Sequence, residues 1–163
     1  MEQLSIFNEE ITPKICVFTG HREIGEDFSK RKLKSAVQSL IEEGVDTFLC
    51  GMAIGFDLAA ADVVLSLKKK NPSLKLVACI PCIGQEKYFS KADQKRYVSI
   101  LKKVDEKVIL ADSYYKGCMQ VRDKYMAERA DVMIAYCKKQ EGGAAYTVRC
   151  FKKLHPGKTI IFL

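Results

Sequence analysis

The chain has 163 residues, 48% of them hydrophobic and 29% charged, a size and balance that fit one folded domain rather than two. No apolar run approaches the roughly 20 residues that a membrane helix needs, and Met1–Pro13 carries Glu2, Glu9 and Glu10 where a leader would be basic and then apolar. No membrane partner and a cytoplasmic location are therefore expected, while the net charge of +7 favours anionic partners.

In chain order, Met1–Pro13 reads as an N-terminal extension of a single domain spanning residues 1–163. Ile15–Thr19 is a continuous apolar run ending in Gly20, as expected of a strand covered on both faces. Phe28–Glu43 sets Leu33, Val37, Leu40 and Ile41 at helical spacing and stops at Gly44. Thr47–Cys50 is a second strand running into Gly51-Met-Ala-Ile-Gly55, after which Asp57 can cap a helix that ends before Asn71-Pro72. Lys75–Ile80 is a third strand, Tyr88–Val104 a helix, Lys107–Ala111 a fourth strand and Met119–Ala130 a helix. Val132–Tyr136 is a fifth strand, Gly142-Gly143 opens a helix reaching Leu154, and Thr159–Leu163 closes the pattern. Lysine runs such as Lys68-Lys69-Lys70 fall at helix ends, where cations complement the dipole and face water. Strands separated by helical stretches imply βαβ units, hence an α/β, Rossmann-like fold with a mainly parallel sheet and helices on both faces.

Seven cysteines make an odd count, and several lie inside apolar strands. They read as buried, reduced thiols rather than a disulfide framework. Cys79 and Cys82 form one C-x-x-C with no second pair to complete a zinc site, so no metal and no cofactor are expected.

In a parallel sheet, ligands bind beyond the C-terminal ends of the strands at the topological switch point. That rule selects the loops Gly20–Gly25, Gly51–Phe56, Pro81–Glu86, Ala111–Met119 and Cys137–Gly143. Thr19-Gly20-His21-Arg22 offers a hydroxyl, a close backbone approach, an imidazole and a guanidinium able to clamp phosphate. Gly51 to Gly55 forms a glycine-bearing strand-to-helix turn that can present N–H groups to an anion. Asp57 serves there as a helix cap or as an acceptor for a ribose hydroxyl. Arg122 gains nothing from the dipole near a helix N-terminus, so a bound phosphate or carboxylate is its expected partner, and its loss is expected to weaken binding with little effect on folding. Gly142 and Gly143, followed by Thr147, make a second glycine-rich helix entry.

These stretches, with Ile80-Pro81, Gln85, Arg122-Asp123-Lys124-Tyr125-Met126 and Tyr146-Thr147, occur in an order that resembles the YpsA-like branch of the SLOG superfamily, which joins DprA with the LOG proteins. The resemblance covers the chain from about Lys14 onward. It implies a Rossmann-like domain that binds nucleotides or their derivatives, ADP-ribose-like ligands included, and homo-oligomers are frequent in the superfamily. Two departures bear on chemistry. LOG phosphoribohydrolases resemble P-G-G-x-G-T-x-x-E at the last loop, whereas here Gln140-Glu141 precede the glycines and Arg149 occupies the position of the catalytic Glu, or Cys150 if the register follows Thr147. Arg122-Asp123 also stands where YpsA-like proteins resemble Arg-Asn. The expectation is binding or sensing of a phosphate-containing nucleotide without LOG-type turnover. The alternatives are an N-glycosidic hydrolase and DprA-like single-stranded DNA binding, the latter favoured by the charge but not by the dispersed aromatics.

Overall fold

The structure is a computed structural model that describes residues 12–163, so the expected N-terminal extension falls almost wholly outside the described residues. Strands β1 (Ile15–Gly20), β2 (Thr47–Cys50), β3 (Lys75–Ile80), β4 (Glu106–Ile109), β5 (Val132–Tyr136) and β6 (Ile160–Phe162) form one sheet in the order β4-β3-β2-β1-β5-β6. Every ladder is parallel, with Val17 opposite Leu49 on one side and opposite Met133 on the other. The expected Rossmann-like α/β architecture is thus the observed one. The sheet grows outward from β1 to β4, then the chain returns to lay β5 against the free side of β1. The switch point therefore lies between β1 and β5.

Side chains alternate across this sheet as the two-residue period requires. Cys16, Phe18, Phe48, Cys50, Leu76, Ala78, Ile80, Ile134 and Tyr136 enter one core layer. Val17, Leu49, Val77, Cys79, Met133 and Ala135 enter the other. Helices α1 (Lys30–Glu42), α2 (Phe56–Lys68) and α3 (Lys91–Leu101) cover the first layer, and α4 (Cys118–Arg129) and α5 (Gly143–Leu154) the second. The central strands are buried on both faces, which is why they read as unbroken apolar runs.

Local chemistry sets the helix starts. In α1 the Ser29 hydroxyl accepts from Lys32 N–H at 3.1 Å, so the helix begins after Phe28 rather than at it. The helix expected over Tyr88–Val104 is the shorter α3, whose start is set by Ser90 Oγ accepting from Asp93 N–H at 3.2 Å, while Tyr88 closes a preceding 3-10 turn, Gln85–Tyr88. By contrast α2, α4 and α5 start from Gly55, Gly117 and Gly142 with no side-chain cap. Asp57 sits inside the first turn of α2 and does not cap it. No described helix is long and apolar enough to cross a membrane.

Candidate functional site

A cleft of about 200 Å³ opens at the switch point, above the C-terminal ends of β1 and β5. Its walls come from Thr19, Gly20, His21 and Arg22 after β1, Ala53 and Asp57 around the start of α2, Met119, Arg122, Asp123 and Met126 on α4, and Gly143 and Ala144 at the start of α5. Four loops remote in sequence thus meet at one place.

The loops after β1 and β2 are locked together by close contacts that require glycine. A Cβ on Gly20 would stand 2.4 Å from the Phe56 ring, and one on Gly55 would stand 2.2 Å from the Arg22 carbonyl oxygen. Gly55 also has φ +77°, a region open to glycine at no cost. Phe56 N–H then donates to His21 O at 3.1 Å, and Asp57 Oδ2 accepts from Ala53 N–H at 3.2 Å across the turn. Met52, fully buried, adopts a positive φ of 61° without being glycine. Such conformers persist only where the surroundings enforce them, and they cluster at binding sites. Gly20 and Gly55 therefore serve loop-to-loop packing, whereas a Cβ on Gly51 would stand 2.7 Å from Arg122 Nη1 and 3.0 Å from Asp57 Oδ2. Gly142 and Gly143 differ: nothing lies within 4 Å of a Cβ built on either.

At the start of α5, the first helical bond runs from Tyr146 N–H to Gly142 O at 3.0 Å. The N–H groups of Gly143, Ala144 and Ala145 consequently have no acceptor in their own helix. Two of these residues line the cleft. Thr147 does not: it is buried, and its hydroxyl donates to Gly143 O at 2.9 Å within the helix. Arg149, at the position where the LOG pattern has Glu, is exposed and donates from Nη1 to Gln140 O at 2.9 Å, bracing the β5–α5 loop.

Arg122 is 4% exposed, and the protein supplies most of its partners. Nε donates to Asp123 Oδ1 at 2.7 Å, and Nη1 donates to Gly51 O at 2.6 Å and reaches Cys79 O at 3.4 Å. The anion anticipated for it is thus Asp123, the next residue on its own helix, and a structural tie between β2, β3 and α4 replaces the purely ligand-directed role expected of it. Nη2 meets only Met119 Sδ at 3.9 Å among the described residues and remains able to donate into the cleft. Although burial disfavours its charge, Asp123 and Asp57 raise the Arg122 pKa further. Gly51 O accepts a second donor, Gln85 Nε2 at 3.2 Å.

Asp57 is the unusual group of the cleft. It is 6% exposed, its Oδ2 is engaged by Ala53, and its Oδ1 is buried with no hydrogen-bond partner. Burial pushes its pKa up to about 6, against the pull of Arg122. Two carboxylates therefore line the cleft although α5 supplies none, Asp57 from α2 and Asp123 from α4, and Asp123 is already engaged by Arg122.

His21 acts as a clasp. Its Nε2 accepts from Lys138 N–H at 2.7 Å, joining the β1 and β5 loops, and partial burial followed by Lys139 lowers its pKa. Arg22 is exposed and, among the described residues, its guanidinium has no hydrogen-bond partner. It lines the central cleft and the two grooves beside it, one of about 540 Å³ with Lys138 and Lys139 and one of about 520 Å³ with Ile54, Tyr88 and Tyr114. Sequence reasoning passed over Tyr136, whose hydroxyl donates to Asp27 Oδ1 at 2.7 Å and accepts from Gly25 N–H at 3.1 Å, holding the long β1–α1 loop. A tyrosine ending a strand reads simply as core, so no local signal marks it. Among the described residues there is no group of three His, Cys, Asp or Glu side chains that could hold a metal ion.

The family model that matches, YpsA, is described as the YspA SLOG family and covers residues 13–160. A UPF0398 protein of Halalkalibacterium halodurans is 30% identical over 136 residues, covering 82% of this chain and 72% of its own length. A second, of Bacillus licheniformis, is 31% identical over 129 residues, covering 77% and 70%. Of solved structures, DNA processing protein A (DprA) of Streptococcus pneumoniae superposes with a TM-score of 0.64 at 19% identity, over 94% of this chain and 50% of that one. DprA of Helicobacter pylori, solved to describe its single-stranded DNA binding mode, gives 0.66 at 17% identity over 95% and 67%. This chain spans half the length of the streptococcal protein, and at these identities the likeness is one of fold.

Proposed function

Because the chain belongs to the YspA SLOG family, we propose that it binds a phosphate-bearing nucleotide or nucleotide derivative in the cleft between β1 and β5. One observation carries this reading: the start of α5, whose first N–H groups have no acceptor and whose glycines meet nothing among the described residues, stands in the same cleft as Arg22, whose guanidinium has no partner among those residues. Helix N-termini favour anions through their dipole and orphan donors together, and an exposed guanidinium adds a bidentate, charge-assisted contact. Asp57 Oδ1, buried and unpartnered, suits a sugar hydroxyl as donor. The flanking grooves give room for more than one phosphate or for an ADP-ribose-like extension.

The test is calorimetric titration of the chain with ribose 5-phosphate, mononucleotides and ADP-ribose, repeated on Arg22→Ala. Binding of at least one probe, weakened roughly tenfold to 150-fold by the substitution, is expected from a charge-assisted contact of about 1.5–3 kcal/mol. Probes that fail to bind, or bind the variant equally well, overturn the reading. A second reading, cleavage of an N-glycosidic bond, is favoured by Asp57 alone: a buried acid with a pKa of about 6 retains some proton to donate near neutrality. Free base released from adenosine monophosphate, and lost in Asp57→Asn, supports turnover; its absence leaves binding without hydrolysis.

A further inference from the structure

Tyr88 and Tyr114 are 91% and 68% exposed, the two most exposed large hydrophobic side chains among the described residues, and the two line the same groove. Tyr88 ends the 3-10 turn after β3, and Tyr114 lies in the loop between β4 and α4. Scattered apolar side chains on a surface need no explanation, but two aromatics brought from separate loops to one groove, with Ile54 and Phe89 beside them, form a continuous apolar surface. The frame behind them is rigid. Phe89 packs edge-on against buried Tyr97, and Gln85 Nε2 ties the turn to Gly51 O at 3.2 Å and to Tyr97 Oη at 3.4 Å.

This groove is continuous with the anion cleft, since Arg22, Ala53 and Met119 belong to both. A ligand occupying the two would carry a flat apolar group joined to a sugar or phosphate, which is the chemistry of a nucleotide. We propose that the groove of Tyr88 and Tyr114 is a nucleobase site, in which the base of the ligand stacks on tyrosine while its phosphate lies at the start of α5. This rests on the phosphate reading above and adds where the base goes and which residues hold it. Tyrosine suits this role because it presents a large flat face at low conformational cost and stacks on any base. Arg22, shared by the two compartments, supplies a planar cation for either the base or the phosphate.

The same chemistry reaches the groove from a free mononucleotide or from the end of a single strand, and one titration set separates these sources. The full chain is titrated with ribose 5-phosphate, with the four common nucleoside monophosphates and with an eight-residue single-stranded DNA. Tyr88→Ala, Tyr114→Ala and the corresponding Phe variants are titrated alongside, with thermal melts confirming that each is folded. At least one monophosphate should bind tenfold or more tightly than ribose 5-phosphate. Each Ala variant should weaken that monophosphate by roughly fivefold to 150-fold, the range expected for a lost stacking contact, while the Phe variants retain it. Ribose 5-phosphate should bind parent and Ala variants alike. Tighter binding of the strand with the same tyrosine dependence supports the base site and identifies a strand as the source. Monophosphates binding no better than ribose 5-phosphate, or any tight ligand indifferent to both tyrosines, refute the base site and leave the phosphate reading standing. Failure of ribose 5-phosphate and of every monophosphate and the strand to bind removes both.

Discussion

Replacing Arg122 by Met should break the fold before it says anything about ligands. The guanidinium is almost fully buried and bridges Asp123, Gly51 O and Cys79 O, so its removal strands the Asp123 carboxylate, itself 8% exposed, takes a donor from Cys79 O and leaves Gly51 O with Gln85 Nε2 alone. Breaking a buried pair by deleting one partner typically costs about 3–5 kcal/mol, because a charge stays behind in a poor solvent. Domains of this class have only about 5–15 kcal/mol in total. For a chain of this size each kcal/mol moves the melting temperature by about 2–4 °C, so a fall of roughly 6–20 °C is expected. Arg22→Ala, which removes an exposed side chain without a partner among the described residues, should stay within about 0.5 kcal/mol of the parent. Urea denaturation of the parent, the two single variants and the double variant Arg122→Met/Asp123→Leu tests this. The double variant should recover part of the loss, because it removes the stranded charge as well. An Arg122→Met protein unfolding at the parent's midpoint, with unchanged slope, would refute the argument: the internal partners would then contribute nothing, and the anion served by Arg122 would have to be an external one.

Further outcomes follow from the same geometry. Gly143→Ala should fold normally, since its Cβ meets nothing within 4 Å, yet bind ribose 5-phosphate more weakly because the methyl enters the N–H cradle; equal affinity would place the phosphate elsewhere. Gly55→Ala should lower the melting temperature markedly, because its Cβ would collide with Arg22 O from a backbone at φ +77°, and an unchanged melt would mean that the two loops are not in contact. Asp57 holds its proton more tightly folded than unfolded, so its contribution to stability is fully present below about pH 4 and is lost as pH rises toward about 6. A shift from 3.8 to about 6 corresponds to about 3 kcal/mol. Asp57→Asn should therefore be more stable than the parent at pH 8, with the difference closing toward pH 4, while nucleotide binding weakens; a stability difference that does not vary with pH removes the buried-charge account.

The local code of this chain was sufficient for its elements and their class. Unbroken apolar runs at β1, β2, β3 and β5, each followed by a helical period, can bury both faces only in a parallel, helix-covered sheet, and that sheet is observed. The strand-end rule then pointed to the loops that line the cleft before any residue contact was known. Periodicity reports which face a residue turns to the core; it does not report which distant residue it meets there. Only the return of β5 to the side of β1 brings Gly143 within reach of Arg22, and only the pairing of β4 with β3 brings Tyr114 into one groove with Tyr88. Tertiary packing also sorted residues that look alike in sequence. Gly20 and Gly55 are glycine because Phe56 and the Arg22 carbonyl leave no room for a Cβ, whereas Gly142 and Gly143 face open space. Arg22 and Arg122 are both cations on the cleft, but only Arg122 is enclosed by Asp123 and two carbonyls, because α4 lays it over the chain leaving β2 and the end of β3. The cleft holds carboxylates although α5 brings none, Asp57 from α2 and Asp123 from α4, since the groups of a cleft are those that converge in space, and chain order leaves that open.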